Sequence, residues 1–139
     1  MTHTNSVNAY RQTRVKTASQ GQLIVMLYQE AVKQLTTAID LLDSRSSELD
    51  QVNNAILKAQ DVVTELMVGL DFERGGDVAR NLFSLYMFFN NQLMEANFQK
   101  SSEPLQKVRK MLADLLEAWS QVVDKGNVEG QQGGLNIAG

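Results

Sequence analysis

The sequence predicts an all-α fold: an antiparallel up-down four-helix bundle with a short N-terminal arm and a disordered C-terminal tail. Four segments place apolar residues at the helical spacing of about 3.6 residues, and the breaks between them are short and polar. The chain also contains a single proline and no long alternating run of β-branched residues, which argues against strands. With 139 residues, 43% of them hydrophobic, it can form one domain with a sizeable core. We expect the arm to span residues 1–18, the bundle 19–124 and the tail 125–139.

The composition argues against several classes of function. A formal net charge of −3 disfavours nucleic-acid binding, because phosphate contacts need a concentrated basic face. The absence of cysteine excludes disulfides and thiolate metal sites. No apolar run approaches the length of a membrane span, and the N-terminus lacks the apolar core of a signal peptide. We therefore expect a cytoplasmic protein with no membrane insertion.

Catalytic chemistry has no obvious residues in this sequence. A catalytic helical bundle needs inward-facing groups such as paired glutamates and histidines. The only histidine, His3, lies in the arm, where no scaffold would hold it. The charged cluster that includes Asp71, Glu73 and Asp77 is interpreted as a solvated loop with a helix cap. We expect no enzymatic activity, no metal site and no cofactor.

The first two helices each show one apolar stripe. Ser19 and Gln22 match a capping box at the start of the first helix. The inward residues predicted for that helix are Leu23, Ile24, Leu27, Ala31, Leu35, Ala38 and Leu42. The polar break at residues 44–47 is short enough to make the second helix an antiparallel neighbour, with Val52, Ile56, Ala59, Val63, Leu66 and Leu70 inward. Leu57 and Val68, eleven residues apart, share the far side of the second helix.

The third helix, predicted to run from an N-cap at Asp77 to about Gln99, carries two apolar stripes. The first consists of Leu82, Leu85, Tyr86, Phe89, Leu93 and Ala96. The second, roughly a third of a turn away, consists of Phe83, Met87, Met94 and Phe98. A helix that is apolar over so much of its circumference is normally central among other helices. Two interpretations stay open: both stripes are buried against neighbours, or part of the second stripe binds a partner.

The fourth helix is expected to start at Ser101 or Ser102, with Pro104 in its first turn, where a missing N–H breaks no helical bond. Its predicted inward residues are Leu105, Val108, Leu112, Leu115, Trp119 and Val122, and core filling is the expected role of Trp119. The tail that follows carries five of the nine glycines and too little apolar surface to offset the entropy of ordering it.

Apolar residues outside the predicted core indicate a protein that binds a helix or an extended segment of another protein. In the arm, Val7 and Tyr10 are three residues apart, so one helical turn would present both on the same side; a frayed end is the alternative. The candidate binding residues are Val7, Tyr10, Leu57, Val68, Phe83, Met87, Met94 and Phe98.

Short motifs spread from residue 10 to residue 123 carry a family resemblance. They are Tyr10, Thr17-Ala18-Ser19, the run LIVMLY at 23–28, Lys58-Ala59-Gln60, Glu65-Leu66, Leu70-Asp71, Asn81-Leu82, Leu85-Tyr86, the run LMEAN at 93–97, and Ala118-Trp119. In their order and spacing these motifs resemble the flagellar export chaperone family FliS. Two departures are local: the family often has proline at the position of Gln20 and Asp-Gly at the position of Gln29-Glu30.

The resemblance implies an antiparallel four-helix bundle that is not an enzyme and that binds the disordered C-terminal segment of flagellin. Such a chaperone prevents premature polymerisation of flagellin in the bacterial cytoplasm and helps to deliver it to the export gate of the flagellar type III apparatus. We expect a monomer when the chaperone is free of client, with a homodimer as the alternative state. The alternative function is a structural helical bundle that self-associates through the second stripe and has no client.

Overall fold

The computed structural model describes residues 19–128, with side chains to residue 125, and this part of the chain contains four helices. They are α1 (Gln20–Asp43), α2 (Leu49–Val68), α3 (Phe72–Gln99) and α4 (Ser102–Val128). Each helix packs against its neighbours along the chain, and α4 packs back against α1. The four helices therefore surround one core, which confirms the predicted all-α four-helix bundle. The arm and residues 129–139 of the predicted tail lie outside the described residues.

Side-chain hydrogen bonds show that α2 and α3 run antiparallel. Near the end of α3, Asn97 Nδ2 donates to Asn53 Oδ1 near the start of α2 over 2.8 Å. Earlier in α3, Asn90 Nδ2 donates to Thr64 Oγ1, later in α2, over 3.2 Å. As one position moves forward along α2, its partner moves backward along α3, as the up-down topology requires.

The pairing of α1 with α4 is antiparallel as well. Near the start of α4, the Arg109 guanidinium donates to Thr36 Oγ1 in the second half of α1 over 3.2 Å. At the other end of the bundle, Leu23 from the start of α1 and Trp119 from the later part of α4 line the same cleft. The start of α1, where the arm is attached, therefore lies at the same end of the bundle as the end of α4.

The start of α1 has the predicted capping box. Ser19 Oγ accepts from the backbone N–H of Gln22 over 3.1 Å, and Gln22 Oε1 accepts from the backbone N–H of Ser19 over 2.9 Å. Two backbone donors that would otherwise be unpaired at the first turn are thereby satisfied. The family's proline is not needed at Gln20 for the helix to start.

The start of α3 differs from the prediction. Asp71, not Asp77, is the N-cap, and its carboxylate accepts from the backbone N–H groups of Glu73 and Arg74, both over 3.0 Å. The cap stabilises a first helical turn after Asp71, in a segment that the sequence predicted to be a polar loop. Gly76 then interrupts the helix with φ of 50° and ψ of −124°, a conformation that glycine adopts without a steric penalty. The predicted start at Asp77 thus corresponds to the resumption of α3 after this kink.

Most residues of the predicted inward stripes are buried, including Trp119, which is 8% exposed. Those that are half-buried are Ile24, Leu42, Leu70, Leu82, Leu85, Leu115 and Val122. Buried residues outside the predicted stripes include Tyr28, Ile39, Ala55, Val62, Ala79 and Val123. The helical pattern predicted too few inward residues. Each helix packs between two neighbours, which together bury a wider arc of its surface than a single partner does.

The third helix is less enclosed than the two before it. Five of the 28 residues of α3 are buried, compared with eight of 24 in α1 and seven of 20 in α2. The expectation that the third helix is the central one is therefore wrong. Only the first stripe of α3 enters the core between α2 and α4, and the rest of its circumference faces outward.

The ends of α4 fall close to the predicted positions. The helix begins at Ser102, which places Pro104 in its first turn as predicted. It continues to Val128 and so includes the first four residues of the segment predicted to be a tail.

Candidate functional site

The second apolar stripe of α3 is exposed along its whole length. The exposed fractions are 39% for Phe83, 44% for Met87, 58% for Met94 and 89% for Phe98. The interpretation in which both stripes are buried is therefore wrong for residues 19–128, because the two helices that pack against α3 contact only its inner side. The structure leaves the second stripe accessible to another molecule.

A line of polar contacts marks where α2 and α3 meet beside this stripe. It consists of the Asn53–Asn97 and Thr64–Asn90 hydrogen bonds and of Gln60 Nε2, which donates to the Asn90 carbonyl oxygen over 3.4 Å. These contacts show which faces of the two helices lie side by side at the surface.

The predicted residues of α2 lie along the same line. Leu57 is four residues after Asn53, and Val68 is four residues after Thr64, so both follow the side of α2 that contacts α3. Val68 is 73% exposed and Leu57 is half-buried. On α3, Met87 and Met94 flank Asn90 by three and four residues, and the stripe therefore borders α2.

The structure thus brings together six of the eight predicted binding residues on one side of the bundle. We call this surface the α2–α3 face; it consists of Leu57, Val68, Phe83, Met87, Met94 and Phe98. The remaining two predicted residues, Val7 and Tyr10, lie outside the described residues. Exposed apolar residues grouped on one side and bordered by polar side chains are typical of protein-binding sites.

Other exposed apolar residues of α3 were not predicted. Phe88 is 46% exposed, Val78 is 52% exposed, and Phe72, at the first turn, is 45% exposed with its ring 5.9 Å from that of Phe83. Phe88 could have been recognised, because adjacent helical residues point about 100° apart and Phe88 and Phe89 cannot both face the core. Phe72 could not, because the sequence placed it in a loop.

A cleft opens at the end of the bundle where α1 begins. Its lining residues come from all four helices: Gln20, Leu23, Ile24, Leu27, Glu65, Leu66, Gly69, Leu70, Tyr86 and Trp119. Most of this lining is apolar, so the cleft favours an apolar group over a charged one. No sequence pattern indicated the cleft, because residues from four helices form it.

Below the cleft, the hydroxyl groups of Tyr28 and Tyr86 are 2.5 Å apart and share a hydrogen bond. Burial raises the pKa of Tyr28 above its ordinary value of 10.0, while hydrogen bonds with Tyr86 and Trp119 oppose the increase. Burial also raises the pKa of Tyr86 far above that value, and the nearby Tyr28 hydroxyl adds to the rise. Both hydroxyls therefore stay protonated throughout the neutral pH range.

Within residues 19–128, no group of three or more acidic or histidine side chains is arranged to hold a metal ion. None of the four helices is both long enough and apolar enough to cross a membrane. The chemistry that the described surface offers is apolar contact along α2 and α3.

The chain is similar to known flagellar proteins over most of its length. The sequence profile of the family described as "Flagellar protein FliS" matches residues 3–126. The flagellar secretion chaperone FliS of Salmonella typhimurium is 31% identical over 130 residues, which cover 90% of this chain and 95% of the relative. The flagellar secretion chaperone FliS of Bacillus subtilis is 27% identical over 119 residues, 86% of each chain. The protein of the same name from Campylobacter jejuni is 30% identical over 115 residues, 83% of this chain and 88% of the relative.

Proposed function

The chain belongs to the FliS family of flagellar secretion chaperones, and we propose that it binds the C-terminal segment of flagellin on the α2–α3 face. In the bacterial cytoplasm, this binding keeps flagellin from polymerising and aids its delivery to the flagellar type III export gate. The protein acts by binding and not as an enzyme. The exposed apolar stripe that α3 presents beside α2 is the observation that carries the proposal.

The α2–α3 face is long enough to contact a client helix along several turns. From Phe83 to Phe98 it follows α3 for about 22 Å, which matches roughly four turns of a client helix. A client helix bound in this way uses apolar anchors at i, i+3, i+4 and i+7, and the residues of the stripe are spaced by four, seven and four along one side of α3. Two of its four side chains are methionines, which adapt their shape to varied apolar partners.

The energetics favour a client that buries a large surface. Ordering a disordered segment costs on the order of 1 kcal/mol per residue for the backbone. Coupled folding and binding therefore buries on the order of 1,000 to 3,000 Å². We infer that flagellin contacts more of this chain than one helical groove, and the arm residues Val7 and Tyr10 remain our candidates for additional contacts.

The arm is attached where it can reach the cleft at the end of the bundle. Ser19 is nine positions after Tyr10, a span of up to about 30 Å when extended, and Ser19 directly precedes the cleft residue Gln20. We propose that Tyr10 anchors the arm over part of the client site, either as a competitor of flagellin or as a contact for it. Deleting residues 1–16 distinguishes the two roles: calorimetry with a flagellin C-terminal peptide should show tighter binding for a competitor and weaker binding for a contact. An unchanged affinity would exclude both roles.

Calorimetry with the same peptide also tests the α2–α3 face. The double variant Met94→Ser/Phe98→Ser should bind at least about tenfold more weakly, since two exposed apolar contacts are lost. Met111→Ser is the matched control, because Met111 is 36% exposed but lies on α4, outside the face. Flagellin that lacks its C-terminal segment should fail to co-purify with the wild-type chain. Equal affinities for wild type and the double variant would exclude the α2–α3 face as the binding site.

Sedimentation of the free chain tests the alternative, self-association without a client. We expect a monomer that gains helix when the flagellin peptide is added. A homodimer that persists unchanged in the presence of the peptide would instead support a structural role for the exposed stripe of α3.

A further inference from the structure

The hydrogen bond between Tyr28 and Tyr86 is unusual among the contacts of the described residues, because both of its side chains are fully buried. The two oxygens are 2.5 Å apart, the ring centroids are 6.4 Å apart, and the residues are 0% and 2% exposed. It joins α1 to α3, which lie diagonally across the bundle; each of these helices packs against α2 and α4. The contact is therefore a direct polar link between opposite helices.

The other contacts of α3 define its rotation less sharply. The hydrogen bonds of Asn90 and Asn97 with α2 lie at the partly exposed edge of the two helices, where water competes for the same groups. Ala79, Phe89, Leu93 and Ala96 bury apolar surface, and apolar burial has little directional preference. A hydrogen bond requires a short distance and a restricted angle. Rotating α3 by 20° about its axis moves the ends of its side chains by about 2 Å, which is enough to break the hydroxyl contact but not to expose the core.

Rotation of α3 also changes what the helix presents outside. Tyr86 is adjacent to Met87 and three residues after Phe83, so its inward direction is coupled to the outward direction of the stripe. The stripe must lie beside α2 for its residues to join Leu57 and Val68 in one face. A misrotated α3 would separate these two parts of the surface.

We propose that the Tyr28–Tyr86 hydrogen bond is a positioning contact that sets the rotation of α3 and so assembles the α2–α3 face for its client. This role rests on the proposed function, because the client is the flagellin segment. Buried polar contacts in an otherwise apolar core favour a single arrangement over similar alternatives. Neither tyrosine needs to touch flagellin for this role.

Removing both hydroxyls tests the positioning of α3 without a large change in the free energy of unfolding. The double variant Tyr28→Phe/Tyr86→Phe keeps both rings and leaves no unpaired tyrosine hydroxyl, and such paired replacements are nearly neutral for folding. Trp119, the other side chain that affects the Tyr28 hydroxyl, lines the solvent-open cleft, where water can accept from its indole N–H once that hydroxyl is removed. The variant should therefore fold, but with α3 free to adopt several rotations.

The expected effect is on association with the client. If only about a tenth of the molecules hold α3 in the competent rotation, the apparent affinity falls about tenfold. The loss should appear in the association rate constant, while the dissociation rate constant stays close to that of wild type, because the bound client itself holds α3. Loss of a direct contact would mainly raise the dissociation rate constant.

The experiment measures both rate constants with a labelled flagellin C-terminal peptide, for wild type, the double variant and Ile56→Val. Ile56 is a fully buried residue of α2 without polar groups, so Ile56→Val controls for a mild loss of core packing and should associate like wild type. The single variant Tyr86→Phe should show the same slower association and serves as the test if the double variant does not fold.

Two outcomes would overturn the positioning role. One is a tyrosine variant that associates as fast as wild type; the other is a variant that loses affinity only through faster dissociation. If wild type itself does not bind the peptide, the proposed function fails and this inference fails with it. A wild type that binds normally, together with a tyrosine variant that also binds normally, would refute the inference alone.

Discussion

The inner and outer faces of α3 are both rich in large apolar side chains, but they differ in what covers them. On the inner face, Tyr86, Phe89 and Leu93 are at most 2% exposed and pack within the bundle. On the outer face, Met94 and Phe98 are 58% and 89% exposed. An apolar side chain is stabilised when it is removed from water. Whether the same chain or a binding partner buries it depends on which neighbours the fold places beside it.

The two faces consequently serve different equilibria. Burying a side chain of this size contributes about 1.5 to 3 kcal/mol, and the inner face gains this amount when the chain folds. The outer face is not buried when the chain folds, so the free energy of burying its side chains can instead stabilise a complex with a client. We therefore expect substitutions on the inner face to change the free energy of unfolding, and substitutions on the outer face to change the affinity for the client.

The largest expected effect compares two phenylalanines of α3. Phe89→Ala should lower the free energy of unfolding by about 3 to 5 kcal/mol through lost burial and a cavity, because Phe89 is fully buried. Phe98→Ala should change it by less than about 0.5 kcal/mol, because Phe98 is largely exposed. Urea denaturation of the two variants measures both values. Similar losses in the two variants would mean that the outer face is also covered in solution.

Much of the fold follows from the sequence, because helical periodicity and caps are local. The capping box at Ser19, the break after Asp43 and the first-turn position of Pro104 need only neighbouring residues. The start of α3 was misplaced because two aspartates, at 71 and 77, offered competing caps. Only the folded chain shows that Asp71 caps a helical turn and that Gly76 provides a kink.

The candidate site was less predictable than the fold. The outer stripe of α3 is a local pattern, and the sequence identified its four residues, but not whether a neighbouring helix covered them. That Leu57 and Val68 lie beside this stripe depends on how α2 and α3 align, which only the folded chain shows, for example in the Asn53–Asn97 contact. The Tyr28–Tyr86 contact joins residues 58 positions apart on opposite helices, and no local pattern encodes it.

A second prediction uses the tyrosine hydroxyls of the inner core. Burial raises the pKa of Tyr28 and Tyr86 above 10.0, so the folded chain keeps both protons at a pH where the unfolded chain releases them. The stability that the two protonated hydroxyls contribute is fully present below pH 10 and is lost as the pH rises further. The free energy of unfolding should fall by about 1.4 kcal/mol per pH unit for each tyrosine above that pH.

Urea denaturation between pH 9 and pH 11 measures this loss. The variant Tyr28→Phe/Tyr86→Phe retains every lysine and arginine and is the matched control, so its stability should decline less steeply than that of wild type. Equal slopes for the two chains would show that the two hydroxyls are not sequestered from solvent.

A third prediction addresses the methionines of the outer face. Met87 and Met94 are 44% and 58% exposed, so a peroxide should oxidise both to the polar sulfoxide. Oxidation should leave the free energy of unfolding nearly unchanged but weaken binding of the flagellin peptide by about 1 kcal/mol, or fivefold.

The variant Met87→Leu/Met94→Leu supplies the control, since leucine preserves volume and apolar character but cannot form a sulfoxide. It should bind the peptide like wild type both before and after treatment. Mass spectrometry confirms where oxygen has been added. Full oxidation at both positions without any loss of wild-type affinity would remove the two methionines from the binding site.

The smallest expected effect tests whether the outer face extends from α3 onto α2. Changing Leu57 and Val68 to serine should leave the melting temperature nearly intact, because Val68 is 73% exposed and Leu57 is only half-buried. Affinity for the flagellin peptide should fall about threefold, or roughly 0.7 kcal/mol, since less apolar surface is lost than on α3. Val68→Ile keeps an apolar side chain and should bind like wild type.

A much lower melting temperature of the serine variant would place Leu57 and Val68 in the core, and an unchanged affinity would confine the binding face to α3. A loss of affinity at constant stability would instead mean that α2 and α3 act on the client as one surface, which is the condition under which the rotation of α3 matters.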